Sequence, residues 1–245
     1  MSKKGNKGHK QNQVKKRSQA KLMNVSLAIL LILIIGVIFY KAASGPGSGT
    51  GTGLNEAVNA DIFQLDQQPM LGSEQAPIQI IEFADFKCST CQRFGKQVYP
   101  SLKKDFIDSG LVQFYFINFP VVSPNGDSGA AAMAVEAVYN QNPDEFWKYY
   151  EALFAQPEET DAWNADRLVQ IAKDANVEVD YEQLKEDIEQ KNTIKAVNQD
   201  ITIGDQAGVD GTPTLFLNGK QVPIQISLDY NSFKQLIQKE IDENS

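Results

Sequence analysis

The sequence predicts an α/β domain of the βαβ…ββα type, split by a helical insert and preceded by one transmembrane helix. Three observations carry this expectation. An uncharged apolar run lies near the amino terminus, a strand–helix–strand pattern occupies roughly residues 78–119, and a strand–turn–strand–helix pattern closes the chain after residue 213.

The apolar run covers residues 22–40, "LMNVSLAILLILIIGVIFY", with only Asn24 and Ser26 polar and a lysine at each flank. At ~1.5 Å per residue it extends about 28 Å, the thickness of a bilayer's hydrocarbon core. The first 41 residues carry nine Lys/Arg and no Asp/Glu, which leaves 14 basic against 31 acidic residues, a net −17, for residues 42–245. Eight of the nine basic residues precede the run, so the positive-inside rule keeps residues 1–21 in the cytoplasm and sends the acidic remainder across the membrane. A cleaved signal peptide is the competing reading, with small residues at 42–44. The core length, Lys41 directly after it and the long basic lead favour a retained anchor. The basic lead is more simply a topology signal that also favours anionic lipid than a nucleic-acid site. "SGPGSGTGTG" at 44–53 reads as part of a flexible tether over 41–60. The domain is expected over 61–245.

Within the domain, "IQIIEFA" at 78–84 is short, β-branched and aromatic, as a strand is. Cys91, Phe94, Val98, Leu102 and Phe106 then recur at helical spacing, and Pro100 among them predicts a kink. "LVQFYFINF" at 111–119 is apolar enough for a central strand covered on both faces. These three elements make a right-handed βαβ unit. Near the end, 214–217 and 222–226 flank Asn218-Gly219-Lys220-Gln221 and read as an antiparallel hairpin, followed by a helix over 229–241. Between the halves, about 123–207, helix starts predominate: Asn142-Pro143-Asp144-Glu145 and Asp180-Tyr181-Glu182-Gln183 both have capping-box character. Phe146, Trp147, Tyr150 and Phe154 fall on one helical face, and packing explains them better than any ligand role.

The chain's two cysteines, Cys88 and Cys91, sit in "EFADFKCSTCQRF" at the junction of the first strand and its helix. A zinc site would need carboxylates in two places, since the single histidine, His9, lies in the tail. A structural disulfide suits the oxidising side of a membrane but would close too small a loop to constrain the unfolded chain much. A redox-active dithiol uses the position itself. The free N–H groups and positive dipole end at a helix start stabilise an anion, so Cys88 should be the low-pKa, reactive member, with Cys91 one turn along the same face. Without a nearby histidine, a Cys-His hydrolase is excluded. Glu82, in an apolar strand below the pair, should be desolvated with a raised pKa, able to relay a proton to or from Cys91. Asp85 is a weaker candidate for that task.

The ordered set "PMLGSEQAPIQIIEFADFKCSTC", "NPDEFWKYYEALF" and "VDGTPTLFLNG" resembles the DsbA-type thiol–disulfide oxidoreductases of the thioredoxin fold, most of all their membrane-anchored BdbD-type members in Gram-positive bacteria; the resemblance spans about residues 69–243. It implies that Cys88 is the exposed nucleophile and Cys91 the buried resolving thiol. It also implies that Pro213, with Thr212 before it, forms the cis-proline loop that binds substrate backbone, and that Glu82 is the family's acidic residue beneath the thiols. One departure stands out: Ser89-Thr90 stands where the strong oxidants of the family often carry Pro-His, which leaves no imidazolium to hold the thiolate, a role that hydroxyl and N–H donors from Ser89, Thr90 and Thr212 can fill in part.

The function expected is a membrane-tethered, extracytoplasmic oxidase that forms disulfides in exported proteins. It needs no dissociable cofactor and no metal, and a quinone-linked DsbB-type membrane oxidase returns it to the disulfide. A cell-surface reductase or isomerase, and a redox-silent anchored binding or chaperone module, are the alternatives.

Overall fold

The computed structural model describes residues 56–157 and 162–243. The predicted cytoplasmic tail, the anchor over 22–40 and most of the tether therefore lie outside the described residues. Among the described residues no helix is long and apolar enough to cross a membrane.

Five strands form one sheet in the order β1-β3-β2-β4-β5: β1 is Met70–Leu71, β2 Ile78–Ala84, β3 Val112–Asn118, β4 Thr214–Leu217 and β5 Lys220–Val222. The parallel β2–β3 pair runs in register from Ile78 opposite Val112 to Ala84 opposite Asn118. β4 lies antiparallel on the other side of β2, with Glu82 opposite Leu215. β2 is thus hydrogen-bonded on both edges, which its β-branched and aromatic residues suit.

Alternation along β2 separates two cores. Ile78, Ile80 and Ala84 point into the larger one, with Cys91, Phe94, Leu102, the aromatic side of the insert and Phe233 of the last helix. Ile81 and Phe83 point into the smaller one, with Phe63, Ile117, Phe119, Ile203 and Phe216. Glu82 shares the parity of Ile80 and Ala84. A carboxyl is thereby aimed into the larger core, on the side that carries the cysteines.

The helix after β2, Ser89–Gln97, ends at Val98; a second short helix, Tyr99–Leu102, follows, and a wide turn spans Lys103–Ile107. Pro100 breaks the helical ladder as expected, because its ring removes a donor and crowds the preceding turn. The predicted buried stripe holds across the break: Cys91, Phe94, Val98, Leu102 and Phe106 are all buried. Gly95 lets this helix approach the insert closely, since a Cβ there would lie 2.9 Å from the ring of Phe154.

The insert contains the helices Asp127–Gln141, Phe146–Ala155, Ala165–Asp174, Tyr181–Glu189 and Ile194–Ala207, and no strand among its described residues. Asp180 caps its helix as predicted, accepting from the backbone N–H of Glu182 and Gln183 at 3.0 Å each. Asn142 does not act as a cap. Its side chain instead donates to the Glu178 carbonyl, and Pro143–Glu145 makes a 3-10 turn before the α-helix starts at Phe146.

Two expectations are corrected. The hairpin turn is only Asn218-Gly219, both at positive φ (48° and 78°), so β5 begins at Lys220, and Ile224–Ser227 is a short helix after Pro223 rather than strand. The two-residue strand β1, antiparallel to β3, and the 3-10 turns before it were not foreseen.

Candidate active site

Cys88 occupies the N-cap position of the helix Ser89–Gln97 and has extended backbone angles. A thiol offers no oxygen to cap the helix, so the first N–H groups remain free for a sulfur anion. Both cysteines are free thiols; Cys88 is half-buried and Cys91 fully buried. Donation from the Cys91 thiol, then from the Thr212 hydroxyl and the backbone N–H groups of Cys91 and Thr90, pulls the Cys88 pKa from 9.0 to about 5 against the opposing effect of burial. Cys91 moves the other way. Burial first, then its donation to Cys88 and the charge there, holds it well above the ordinary thiol value. Two thiols on one helical turn are therefore split into a good leaving group and a strong base.

The Thr212–Pro213 peptide is cis. The Cys88 sulfur lies 3.4 Å from the Thr212 carbonyl, to which the protonated thiol donates, and the buried Thr212 hydroxyl has no hydrogen-bond partner of its own but lies near enough to lower the pKa of both thiols. Thr212 thus meets the thiols with both its carbonyl and its hydroxyl. A cavity of about 440 Å³ opens beside the loop, lined by Asp210, Gly211, Pro213, Gln221 and Ile224 among others. Of the residues between the cysteines, Thr90 contributes its N–H, whereas the exposed Ser89 makes no hydrogen bond to Cys88.

Glu82 is fully buried, and its Oε2 accepts a 2.6 Å hydrogen bond from the Tyr150 hydroxyl, while Oε1 has no partner. Burial pushes its pKa from 4.5 to about 8; the Tyr150 hydrogen bond opposes the shift and the Cys88 charge adds to it. A group poised near neutrality below the thiols can give or take a proton. Tyr150 was read from the sequence as packing alone. Its ring does pack, but its hydroxyl end belongs to the site, a distinction that helical spacing cannot draw.

Asp85 has a different task from the one considered for it. One carboxylate oxygen accepts from the Lys87 N–H at 2.9 Å, and the other from the Val121 and Val122 N–H groups at 2.9 and 2.8 Å. With three backbone donors it fastens the loop after β3 to the loop bearing Cys88.

A second buried acid cluster went unnoticed in the sequence. Asn118, at the end of β3, donates its side-chain amide to Glu136 at 2.8 Å and to Asp200 at 3.0 Å, and its backbone N–H to Asp200 at 3.1 Å; Gln68 donates to Asp200 at 3.3 Å. Burial raises the pKa of both carboxyls, and the Asp200 charge raises Glu136 further. The available signal was Glu136, a charged residue inside "AAAMAVEAVY". Among the described residues no group of three or more His, Cys, Asp or Glu is arranged to hold a metal ion.

A profile of the thioredoxin family matches residues 64–239. The chain is 32% identical over 228 residues to the probable disulfide bond formation protein D of Bacillus cereus, covering 92% of this chain and 99% of that protein. It is 34% identical over 188 residues to disulfide bond formation protein D of Bacillus subtilis, covering 76% and 82%. The crystal structure of oxidised BdbD from Bacillus subtilis superposes with a TM-score of 0.66 at 34% identity, over 73% of this chain and 95% of that one. Chlamydia trachomatis DsbA shares the fold, with a TM-score of 0.62 at 19% identity over 79% and 96%. A split thiol pair at a helix start, a cis-proline loop against it and relatedness over nearly the whole chain lead to one conclusion: this protein belongs to the thioredoxin family, among the disulfide bond formation D proteins, and is a thiol–disulfide oxidoreductase.

Proposed function

We propose that the protein is a membrane-tethered oxidase that introduces disulfides into exported proteins through the pair Cys88–Cys91. The observation that carries the direction is the Cys88 pKa of about 5. A stabilised thiolate favours the reduced enzyme, so the Cys88–Cys91 disulfide tends to pass its oxidation to substrate.

In this reading a substrate thiolate attacks the Cys88 sulfur, a mixed disulfide forms, and Cys91 leaves. Cys91 is too basic to persist as a thiolate, and Glu82, protonated at neutral pH, supplies the proton. A second substrate thiolate then attacks the substrate sulfur of the mixed disulfide and releases Cys88 as thiolate. The substrate leaves oxidised and the enzyme holds the two electrons. Substrate backbone lies along the Thr212–Pro213 loop, beside the cavity there. Thr90 and Thr212 hold the thiolate in place of a histidine, with Ser89 exposed beside them.

A DsbB-type, quinone-linked membrane oxidase accepts the electrons, and the apolar run at 22–40 anchors the protein in the lipid bilayer with the catalytic domain outside. These parts rest on the sequence: the charge asymmetry about that run and the family resemblance.

The reduction potential tests the direction. A value well above thioredoxin's, about −270 mV, is expected, and a value at or below it makes the protein a reductase. Cys91→Ser should accumulate substrates covalently held on Cys88; an anchored binding module with silent cysteines would hold none.

A further inference from the structure

Glu82 has no cationic partner: among the described residues no lysine or arginine forms an ion pair with it. Among the described residues its carboxyl accepts one hydrogen bond, from Tyr150. The titratable groups that act on it, or on which it acts, are Cys88 from the helix above, Tyr99 from the short helix that follows, and Tyr150 from the insert; Cys91 acts on the same Tyr150 hydroxyl. The flanking strand residues Phe116 and Leu215 are apolar.

The Tyr150 ring cannot swing away. It is packed between Phe86, Tyr99, Phe116, Trp147 and Phe154, with ring centroids 4.8 to 6.0 Å apart. Phe86 and Phe116 belong to the active-site loop and to β3, so the insert grips the same structure that presents the thiols. Among the described residues the Tyr150 hydroxyl has no second acceptor, so its proton goes to Glu82 Oε2. A neutral carboxyl that already accepts at Oε2 carries its own proton on Oε1, and Oε1 is the buried oxygen without a partner.

We infer that Tyr150 is a positioning residue of the thiol chemistry: by occupying Oε2 it makes Oε1 the oxygen through which Glu82 exchanges its proton with Cys91. The inference rests on the proton role proposed for Glu82. Oε1 makes no direct hydrogen bond to Cys91, so as the Cys88–Cys91 bond breaks its proton passes to the Cys91 sulfur through one bridging water and Glu82 becomes a carboxylate. When the dithiol is reoxidised, the carboxylate takes the proton back and Cys91 attacks as thiolate. In that second direction the Tyr150 hydroxyl has a further effect. It stabilises the carboxylate, so it keeps part of Glu82 ionised at neutral pH despite burial.

The test follows resolution of a mixed disulfide formed on Cys88 with oxidised glutathione, timed as a function of pH in the wild type, Tyr150→Phe, Glu82→Gln and the double variant. Wild type should show a limb set by Glu82. Tyr150→Phe should move that limb up by about one pH unit, slowing resolution about tenfold at neutral pH. Glu82→Gln should remove the limb, and adding Tyr150→Phe to it should change nothing more. A fluorotyrosine at position 150, the same shape with a more acidic hydroxyl, should move the limb down, and it serves if Tyr150→Phe does not fold. If Glu82→Gln keeps the limb, the proton role of Glu82 is wrong. If Glu82→Gln loses it while Tyr150→Phe and the fluorotyrosine leave it in place, whatever they do to the melting temperature, only the inference about Tyr150 fails.

Discussion

Two buried carboxyl sites face the interior of this protein, and they are bonded in opposite ways. Glu82 has one donor and one idle oxygen. Glu136 and Asp200 share the Asn118 amide, and Asp200 takes two further N–H donors, from the backbone of Asn118 and the side chain of Gln68. Desolvation raises the pKa in both places. What differs is how many lone pairs are left. A cross-linked cluster spends its capacity on joining segments, here the end of β3, two helices of the insert and the stretch before β1. An under-bonded carboxyl keeps an oxygen free, which is what the proton role proposed for Glu82 requires.

The largest effect should come from breaking the cross-linked site. Asn118→Ala removes the donor that two buried acids share and should cost about 3 kcal/mol of unfolding free energy by denaturant titration. The Cys88 thiolate, followed by its ultraviolet absorbance, should keep its pKa, since Asn118 does not contact the thiols. Equal damage to both would mean that the two sites are not separable.

Glu82→Gln should do the reverse. It should slow the Cys91 step at neutral pH by roughly 10²-fold, the scale of a general acid–base contribution, without loss of stability. At alkaline pH it should stabilise. The folded Glu82 holds its proton up to about pH 8, whereas the unfolded chain releases it near the ordinary 4.5. The unfolded state therefore binds fewer protons in that window, and stability falls as pH rises through it. Gln cannot ionise, so denaturant midpoints of the variant should lose that part of the slope, on the order of 1.4 kcal/mol per unit of pKa difference.

Glu136→Gln should remove a comparable share of the same slope, because burial and the Asp200 charge push its folded pKa from 4.5 to about 8. Thiol kinetics should not change. A kinetic effect comparable to that of Glu82→Gln would place the cluster in the chemistry and end the contrast. The smallest effect is expected at Asp180, whose loss from the insert's N-cap, Asp180→Ala, should cost about 1 kcal/mol in thermal or chemical melts and leave both carboxyl sites as they are.

The same contrast explains what could be read from the sequence. β2, the broken helix, β3 and the last helix were legible because their apolar residues repeat with the period of the element that buries them. Cys88 was legible as the low-pKa member of the pair because a strand end and a helix start are local signals. β1 was not, since two residues show no period. Ile224–Ser227 misled because "IQI" alternates as a strand does, while Pro223 turns the chain out of the sheet into a helical turn. The polar partners were the hardest. Tyr150 and Asn118 take their meaning from residues 68 and 82 positions away, and no local pattern carries such a distance. Glu136 alone left a trace, a charge where helix packing wanted none.

Glu82 sits on a strand hydrogen-bonded to neighbours on both edges, so its backbone is held from both sides near the sulfurs. The groups that set its proton and the thiolate arrive separately: Tyr150 from the insert, Thr212 from the loop before β4, Thr90 from the helix start. Each is a single side chain or N–H on its own segment, mounted against a rigid post. Such a layout makes the driving force of the reaction adjustable in small steps, one substitution at a time, with the scaffold that carries the chemistry left as it was.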